Sequence, residues 1–153
     1  MSAGPENRLS LLVRMRERRE QAVRQAFAAS QEKYRTVEGE VLRLRDILKR
    51  QNSLARKSLL DGPADPAAMG AYRQSIGEIR QARSAGSSRL EATRTELERR
   101  RAGLLDALRQ RKVAENVRRR LDAKATVEMA RKETKAGEDI YASRSAVNRV
   151  GSE

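Results

Sequence analysis

The stretch Asp61-Gly62-Pro63-Ala64-Asp65-Pro66 contains every proline of the 153-residue chain except Pro5. Because proline is the strongest helix breaker, the long proline-free segments on both sides of this stretch are compatible with long helices. Gly62 suits the C-cap of one helix, and Asp65 followed by Pro66 suits the start of another. The stretch therefore predicts a single short turn, which would make the two helices antiparallel.

On both sides of the turn, apolar residues recur at alternating spacings of four and three, the heptad pattern of a coiled coil. In the first helix this stepping selects Leu9, Val13, Arg16, Glu20, Val23, Phe27, Ser30, Tyr34, Val37, Val41, Leu44, Leu48, Gln51 and Ala55. In the second helix it selects Met69, Tyr72, Ile76, Ile79, Arg83, Gly86, Leu90, Thr93, Leu97, Arg100, Leu104, Ala107, Arg111, Ala114, Arg118, Leu121 and Ala125. Arginine interrupts the second seam repeatedly. A chain folded about residue 63 should place residue i opposite residue 126 − i.

The sequence thus predicts an all-α fold, a long antiparallel two-helix coiled coil (α-helical hairpin) with a flexible C-terminal tail. The predicted segments are a first coiled-coil helix at 1–60, a turn at 61–66, a second and longer helix at 67–140 and the tail at 141–153. Residues from about 118 onward are expected to extend past the first helix and to become ordered against a partner. A dimer of two chains would satisfy the same heptads, and this alternative stays open.

The composition argues against an enzyme. Only 3% of the residues are aromatic, 36% are charged, and the chain has no histidine and no cysteine. These absences exclude imidazole bases, thiolate nucleophiles and the usual zinc ligands, and no glycine-rich phosphate loop is present. We expect no catalytic residues, no metal and no cofactor. Without an apolar run of about 20 residues, we also expect a cytoplasmic protein with no membrane insertion.

The net charge of +13 indicates an acidic partner, and its distribution is uneven. Residues 1–60 carry a net charge of +7, residues 61–93 are neutral, and residues 94–153 carry +6. Arginine-rich runs stand at 99–101, 111–112 and 118–120. A solvated helix exterior is the simplest interpretation of these runs, and a docking surface for an acidic protein is the more specific one. Nucleic acid is a third interpretation, although aromatic residues for base stacking are missing there.

A strip of small residues follows the turn. Tyr72, Ile76 and Ile79 are expected in the core, whereas Ser75, Ala82 and Gly86 lie on the adjoining face. Small side chains let another protein approach the helix backbone closely, so this strip is a second candidate binding surface.

Four stretches resemble the FliJ family of the flagellar export apparatus and its relatives, the stalk proteins of virulence-type III secretion. They are the run Arg8-Leu9-Ser10-Leu11-Leu12-Val13-Arg14-Met15-Arg16-Glu17-Arg18-Arg19-Glu20, then Tyr72 with Ile76 and Ile79, then Arg109-Gln110-Arg111-Lys112-Val113-Ala114-Glu115-Asn116-Val117-Arg118-Arg119-Arg120, and finally Gly137-Glu138-Asp139-Ile140. With the turn, the resemblance spans nearly the whole chain. It rests on patterns of residue type.

The resemblance implies a non-enzymatic stalk, similar to the γ subunit of rotary ATPases, that binds the hexameric export ATPase and couples it to the export gate. It also implies contacts with export chaperones. The gate-facing residues would be Ser75, Ile79, Ala82 and Gly86, and the ATPase-facing residues Arg99, Arg100, Arg118, Arg119 and Arg120. The protein would be a monomer when free, cytoplasmic, and peripheral at the cytoplasmic face of the inner membrane through the export apparatus. The alternative is a basic coiled coil that binds nucleic acid or associates with itself.

Overall fold

The computed structural model describes residues 5–63 and 65–150 of the chain, and over these residues it contains two α-helices and no strand. Helix α1 runs over Pro5–Leu60 and helix α2 over Pro66–Val150. The two long helices pack against each other, which confirms the predicted helical hairpin. Two compact units are distinguished, the turn unit Arg19–Ala107 and the terminal unit Met1–Arg18 with Leu108–Glu153.

The turn has the local chemistry that the sequence predicts. Gly62 has a φ of +150°, a conformation that side-chain-bearing residues rarely adopt, directly after the end of α1. At the start of α2, Oδ1 of Asp65 accepts a hydrogen bond from the backbone N–H of Ala67 at 3.1 Å. Asp65 therefore caps the helix, and Pro66 occupies the first helical position, where its missing N–H leaves no hydrogen bond unmade.

In the turn unit, the buried residues follow the predicted seam. Val37 and Leu48 of α1 are buried, as are Thr93 and Ala107 of α2. In this unit, every seam position of α1 from Glu20 to Ala55 is buried or half-buried, and the same holds for Leu9, Val13 and Arg16 in the terminal unit. In α2 the seam is interrupted as predicted, because the side chains of its seam arginines are exposed at positions 83, 100 and 118 and half-buried at 111.

The predicted register agrees with contacts in each unit. In the turn unit, a Cβ placed on Gly103 would lie 3.9 Å from Cγ1 of Val23, the residue predicted to face it. In the terminal unit, Arg16 donates a side-chain hydrogen bond to Oε1 of Gln110, again the predicted pair. Both contacts require antiparallel helices whose residues pair as i with 126 − i.

Helix α2 continues farther than the sequence predicted. It ends at Val150, ten residues past the predicted end at 140, because the segment after Gly137 contains no proline and a single glycine does not stop a long helix. Residues 151–153 of the predicted tail lie outside the described residues. In the terminal unit, every residue of α2 from Asn116 to Ser145 is exposed except Ala125, which is half-buried. This exposure agrees with the expectation that α2 extends past α1 from about residue 118 onward.

Candidate partner-binding surfaces

The arginine cluster at 118–120 lies in the terminal unit and is exposed. Nε of Arg118 stands 3.7 Å from Oδ2 of Asp122, a long and solvent-exposed ion pair that contributes little to stability. Consecutive helical residues are about 100° apart around the axis, so the three guanidinium groups fan out over a wide arc of α2. Such an arc presents positive charge and bidentate hydrogen-bond donors to any acidic surface that approaches it.

Arg99 and Arg100 lie in the turn unit, and both are engaged by one carboxylate of their own helix. Nη2 of Arg99 is 2.9 Å from Oε2 of Glu96, and Nε of Arg100 is 2.7 Å from its Oε1. The structure therefore divides the five predicted arginines between two units, and two of the five are already hydrogen-bonded within α2. The spacing of four residues indicates the pair of Glu96 with Arg100, whereas the second bond, from Arg99 at a spacing of three, was not predicted.

This arrangement shifts the protonation of Glu96. Hydrogen bonds first from Arg99 and then from Arg100 favour the charged carboxylate and hold the pKa of Glu96 below its ordinary value of 4.5. In return, the hydrogen bond to Glu96 raises the pKa of Arg99 above its ordinary value. Near neutral pH, the three side chains form one stable cluster with a net single positive charge.

The Glu96 cluster predicts a small, pH-dependent loss of stability in a Glu96→Gln variant. Since folding lowers the pKa of Glu96, its contribution is present above the unfolded-state pKa and is lost as the pH falls through the folded-state pKa. The difference in Tm between wild type and variant should therefore be measurable at pH 7 and should shrink as the pH is lowered below the ordinary pKa of 4.5. Thermal unfolding followed by circular dichroism measures it.

Salt provides the control for this prediction. Because the cluster is exposed, 1 M salt should reduce the difference in Tm at pH 7 by screening the charges. A difference that stays constant from pH 7 to pH 3, with or without salt, would show that the Glu96 carboxylate contributes nothing through its charge.

The predicted gate-facing residues all lie in the turn unit, at spacings of four, three and four along α2. Ala82 is exposed, whereas Ser75 and Ile79 are half-buried. Gly86 is buried, and a Cβ placed on it would lie 3.1 Å from Cγ2 of Val41 on α1. The first three residues form an accessible stripe. Gly86 instead lets α1 and α2 approach closely.

The spacing of four residues in the sequence indicates the pair of Glu20 with Arg24, but the roles of Arg16 and Arg111 inside the seam were not predicted. Glu20 is only 2% exposed, and its Oε1 accepts a hydrogen bond from Nη2 of Arg24 at 2.9 Å. In the terminal unit, Arg16 bonds to Gln110, and Nε of Arg111 lies 3.4 Å from Oε1 of Glu115. The signal was the replacement of apolar residues by Arg16 and Glu20 at consecutive seam positions. Polar seam residues of this kind specify register in coiled coils.

Over residues 5–63 and 65–150, no group of three or more acidic, histidine or cysteine side chains is placed to hold a metal ion. Within the same residues, neither helix has a stretch that is both long and apolar enough to cross a membrane.

Comparison with known protein families gives one match that covers both helices. The family model described as flagellar FliJ protein matches residues 5–150. No curated protein and no solved structure matches the chain. The family match extends over the turn, both seams and the arginine cluster at 118–120.

Proposed function

We propose that this chain, which belongs to the FliJ family and is a component of the flagellar export apparatus, is a stalk that couples the hexameric export ATPase to the export gate. The observation that carries the proposal is the exposed arginine cluster at 118–120 on a pair of long packed helices. A paired coiled coil transmits force without chemistry of its own, and the cluster offers an acidic ring a binding surface.

The gate would bind the stripe of Ser75, Ile79 and Ala82, which follows the turn in the neutral part of the sequence. Gly86 contributes to this surface through the close approach of the helices. Export chaperones are further partners in this proposal. The protein acts without enzymatic activity, is a monomer when free, and works at the cytoplasmic face of the inner membrane through its partners.

The test is ATP hydrolysis by the cognate export ATPase, measured with and without this protein at physiological salt. We expect the wild type to stimulate hydrolysis or ring assembly, and the triple variant Arg118→Ala, Arg119→Ala, Arg120→Ala to lose most of that stimulation. Loss of three charge-assisted contacts would weaken binding by well over tenfold.

A matched control removes the same charge elsewhere. Arg43, Arg45 and Lys49 are exposed on α1 in the turn unit, and their triple change to alanine should leave stimulation unchanged. If both triple variants lose stimulation equally, net charge rather than the cluster is responsible.

The net charge of +13 also favours nucleic acid as a partner, which makes nucleic-acid binding the second candidate. Binding to duplex DNA, measured by fluorescence anisotropy over a range of salt, separates the two. A stalk should bind loosely with no saturable complex at physiological salt. Tight binding with a steep salt dependence, together with no effect on the ATPase, would replace the stalk proposal with this one.

A further inference from the structure

In the terminal unit, several large apolar side chains remain exposed on the paired part of the two helices, among them Leu11, which is 58% exposed, and a group of four: Leu12, Met15, Val113 and Val117. The exposed fractions are 39% for Leu12, 59% for Met15, 62% for Val113 and 41% for Val117. None of these residues belongs to the predicted seam, and the proposed stalk function assigns none of them. Isolated apolar residues on a surface need no explanation, so the question is whether these four lie together.

The hydrogen bond between Arg16 and Gln110 places them on the same side of the helix pair. Leu12 lies four residues before Arg16, and hence on the same stripe of α1 one turn away. Val113 and Val117 lie three and seven residues after Gln110, and hence on its stripe of α2. Because the helices are antiparallel, residues that precede Arg16 in α1 lie beside residues that follow Gln110 in α2. Leu12 therefore lies next to Val113 and Val117.

Met15 lies three residues after Leu12 and belongs to the same stripe. The two stripes therefore border one groove between α1 and α2, which we call the terminal groove. Leu12 and Met15 lie on its α1 side, and Val113 and Val117 lie on its α2 side. The opposite side of the pair is different. Residues three, four or seven apart share one stripe of a helix, and this spacing identifies the residues on the opposite side. They are Ser10, Arg14 and Glu17 on α1, and Lys112, Glu115 and Arg119 on α2. Leu12, Met15, Val113 and Val117 thus share one side of the pair, and the opposite side carries polar and charged residues.

The border of the terminal groove is basic. On α1, Arg8 lies one turn before Leu12. On α2, Arg109 lies one turn before Val113, and Arg120 and Lys124 follow Val117 by three and seven residues. All four basic side chains are exposed. Two acidic residues of this part of α2 are engaged by other arginines. Glu115 stands 3.4 Å from Arg111 and Asp122 stands 3.7 Å from Arg118, so each is paired within its own helix.

We propose that the terminal groove binds an amphipathic helix with acidic flanks from a partner protein, completing a local three-helix bundle. A groove between two packed helices that is lined by apolar side chains accepts a third helix whose apolar residues recur every three or four positions. Acidic residues beside that stripe would meet Arg8, Arg109 and Arg120. A second copy of this chain is the wrong occupant, because its own groove has the same basic border and would be repelled.

The test uses the full chain and a synthetic amphipathic peptide of about three heptads, with leucine at the a, d and e positions and glutamate at the flanking positions. Fluorescence anisotropy should show saturable binding that weakens as salt is raised from about 0.1 M to about 0.5 M. The matched peptide with lysine in place of every glutamate should not bind.

Two variants locate the site. The double variant Leu12→Ser, Val117→Ser should weaken peptide binding about tenfold or more, because it removes one apolar contact on the α1 side of the groove and one on the α2 side. Leu42→Ser, at an exposed leucine of α1 in the turn unit, should leave binding unchanged. All three side chains are exposed, so neither variant should unfold the chain, which circular dichroism verifies.

Three results would overturn this inference: no saturable binding, equal binding of the lysine peptide, or concentration-dependent dimerisation in sedimentation that the double variant abolishes. The last result would assign the terminal groove to a second copy. Since neither the ATPase nor the gate takes part in the experiment, its failure leaves the stalk proposal standing.

Discussion

Replacing Leu48 by alanine is expected to lower the free energy of unfolding by about 2–5 kcal/mol. Leu48 is a buried seam residue of α1, and its side chain is 8% exposed. The loss combines the transfer free energy of the deleted carbons with a cavity that the neighbouring side chains fill only in part. In a seam only one residue wide, few apolar neighbours are available to move into that cavity. Urea unfolding followed by circular dichroism at 222 nm measures the change.

Leu42→Ala is the matched control for this prediction. It makes the same chemical change on the same helix and in the same unit, but at a side chain that is 52% exposed. Its expected effect is within about 0.5 kcal/mol of wild type. Equal effects of the two substitutions would show that α1 does not present Leu48 to α2, and the assignment of the seam would have to be abandoned.

The sequence contained enough information for the hairpin because its decisive features are local. Gly62 and Asp65 act through their own backbone and side-chain chemistry, within a few residues of the helix ends that they terminate. The heptad stepping likewise reports which face of a helix is apolar, whatever that face packs against. The positions of Val37 and Leu48 in the core therefore followed from α1 alone.

The candidate surfaces were less predictable because they depend on which side chains meet across the helix pair. Gly86 was expected both in the seam of α2 and on a strip facing a partner, and the structure favours the seam, since a Cβ placed on it would lie 3.1 Å from Cγ2 of Val41. The bond between Arg16 and Gln110 also joins distant residues, and it is what places Leu12 beside the terminal groove. The extension of α2 to Val150 was missed for another reason, since Gly137 has only a weak helix-breaking effect in a long helix.

Gly86→Val is expected to lower the free energy of unfolding by about 1–3 kcal/mol through overpacking. Already a Cβ at this position would lie 3.1 Å from Cγ2 of Val41 and 3.9 Å from Cδ1 of Leu44. A valine adds two further methyl groups, so α1 and α2 must separate locally or Val41 must leave its preferred rotamer. The better helix propensity of valine compared with glycine offsets only a few tenths of a kcal/mol. Urea unfolding again measures the change.

Gly77→Val isolates the effect of packing, because nothing lies within 4 Å of a Cβ at Gly77 on the same helix. It should remain within about 0.5 kcal/mol of wild type. Adding Val41→Ala to Gly86→Val makes room for the new side chain, and the two changes should couple favourably by about 0.5–3 kcal/mol in a double-mutant cycle. If Gly86→Val were as mild as Gly77→Val and showed no coupling to Val41, Gly86 would be free of α1. Its small size would then have to serve a partner, as the sequence alone suggested, rather than the close approach of the two helices.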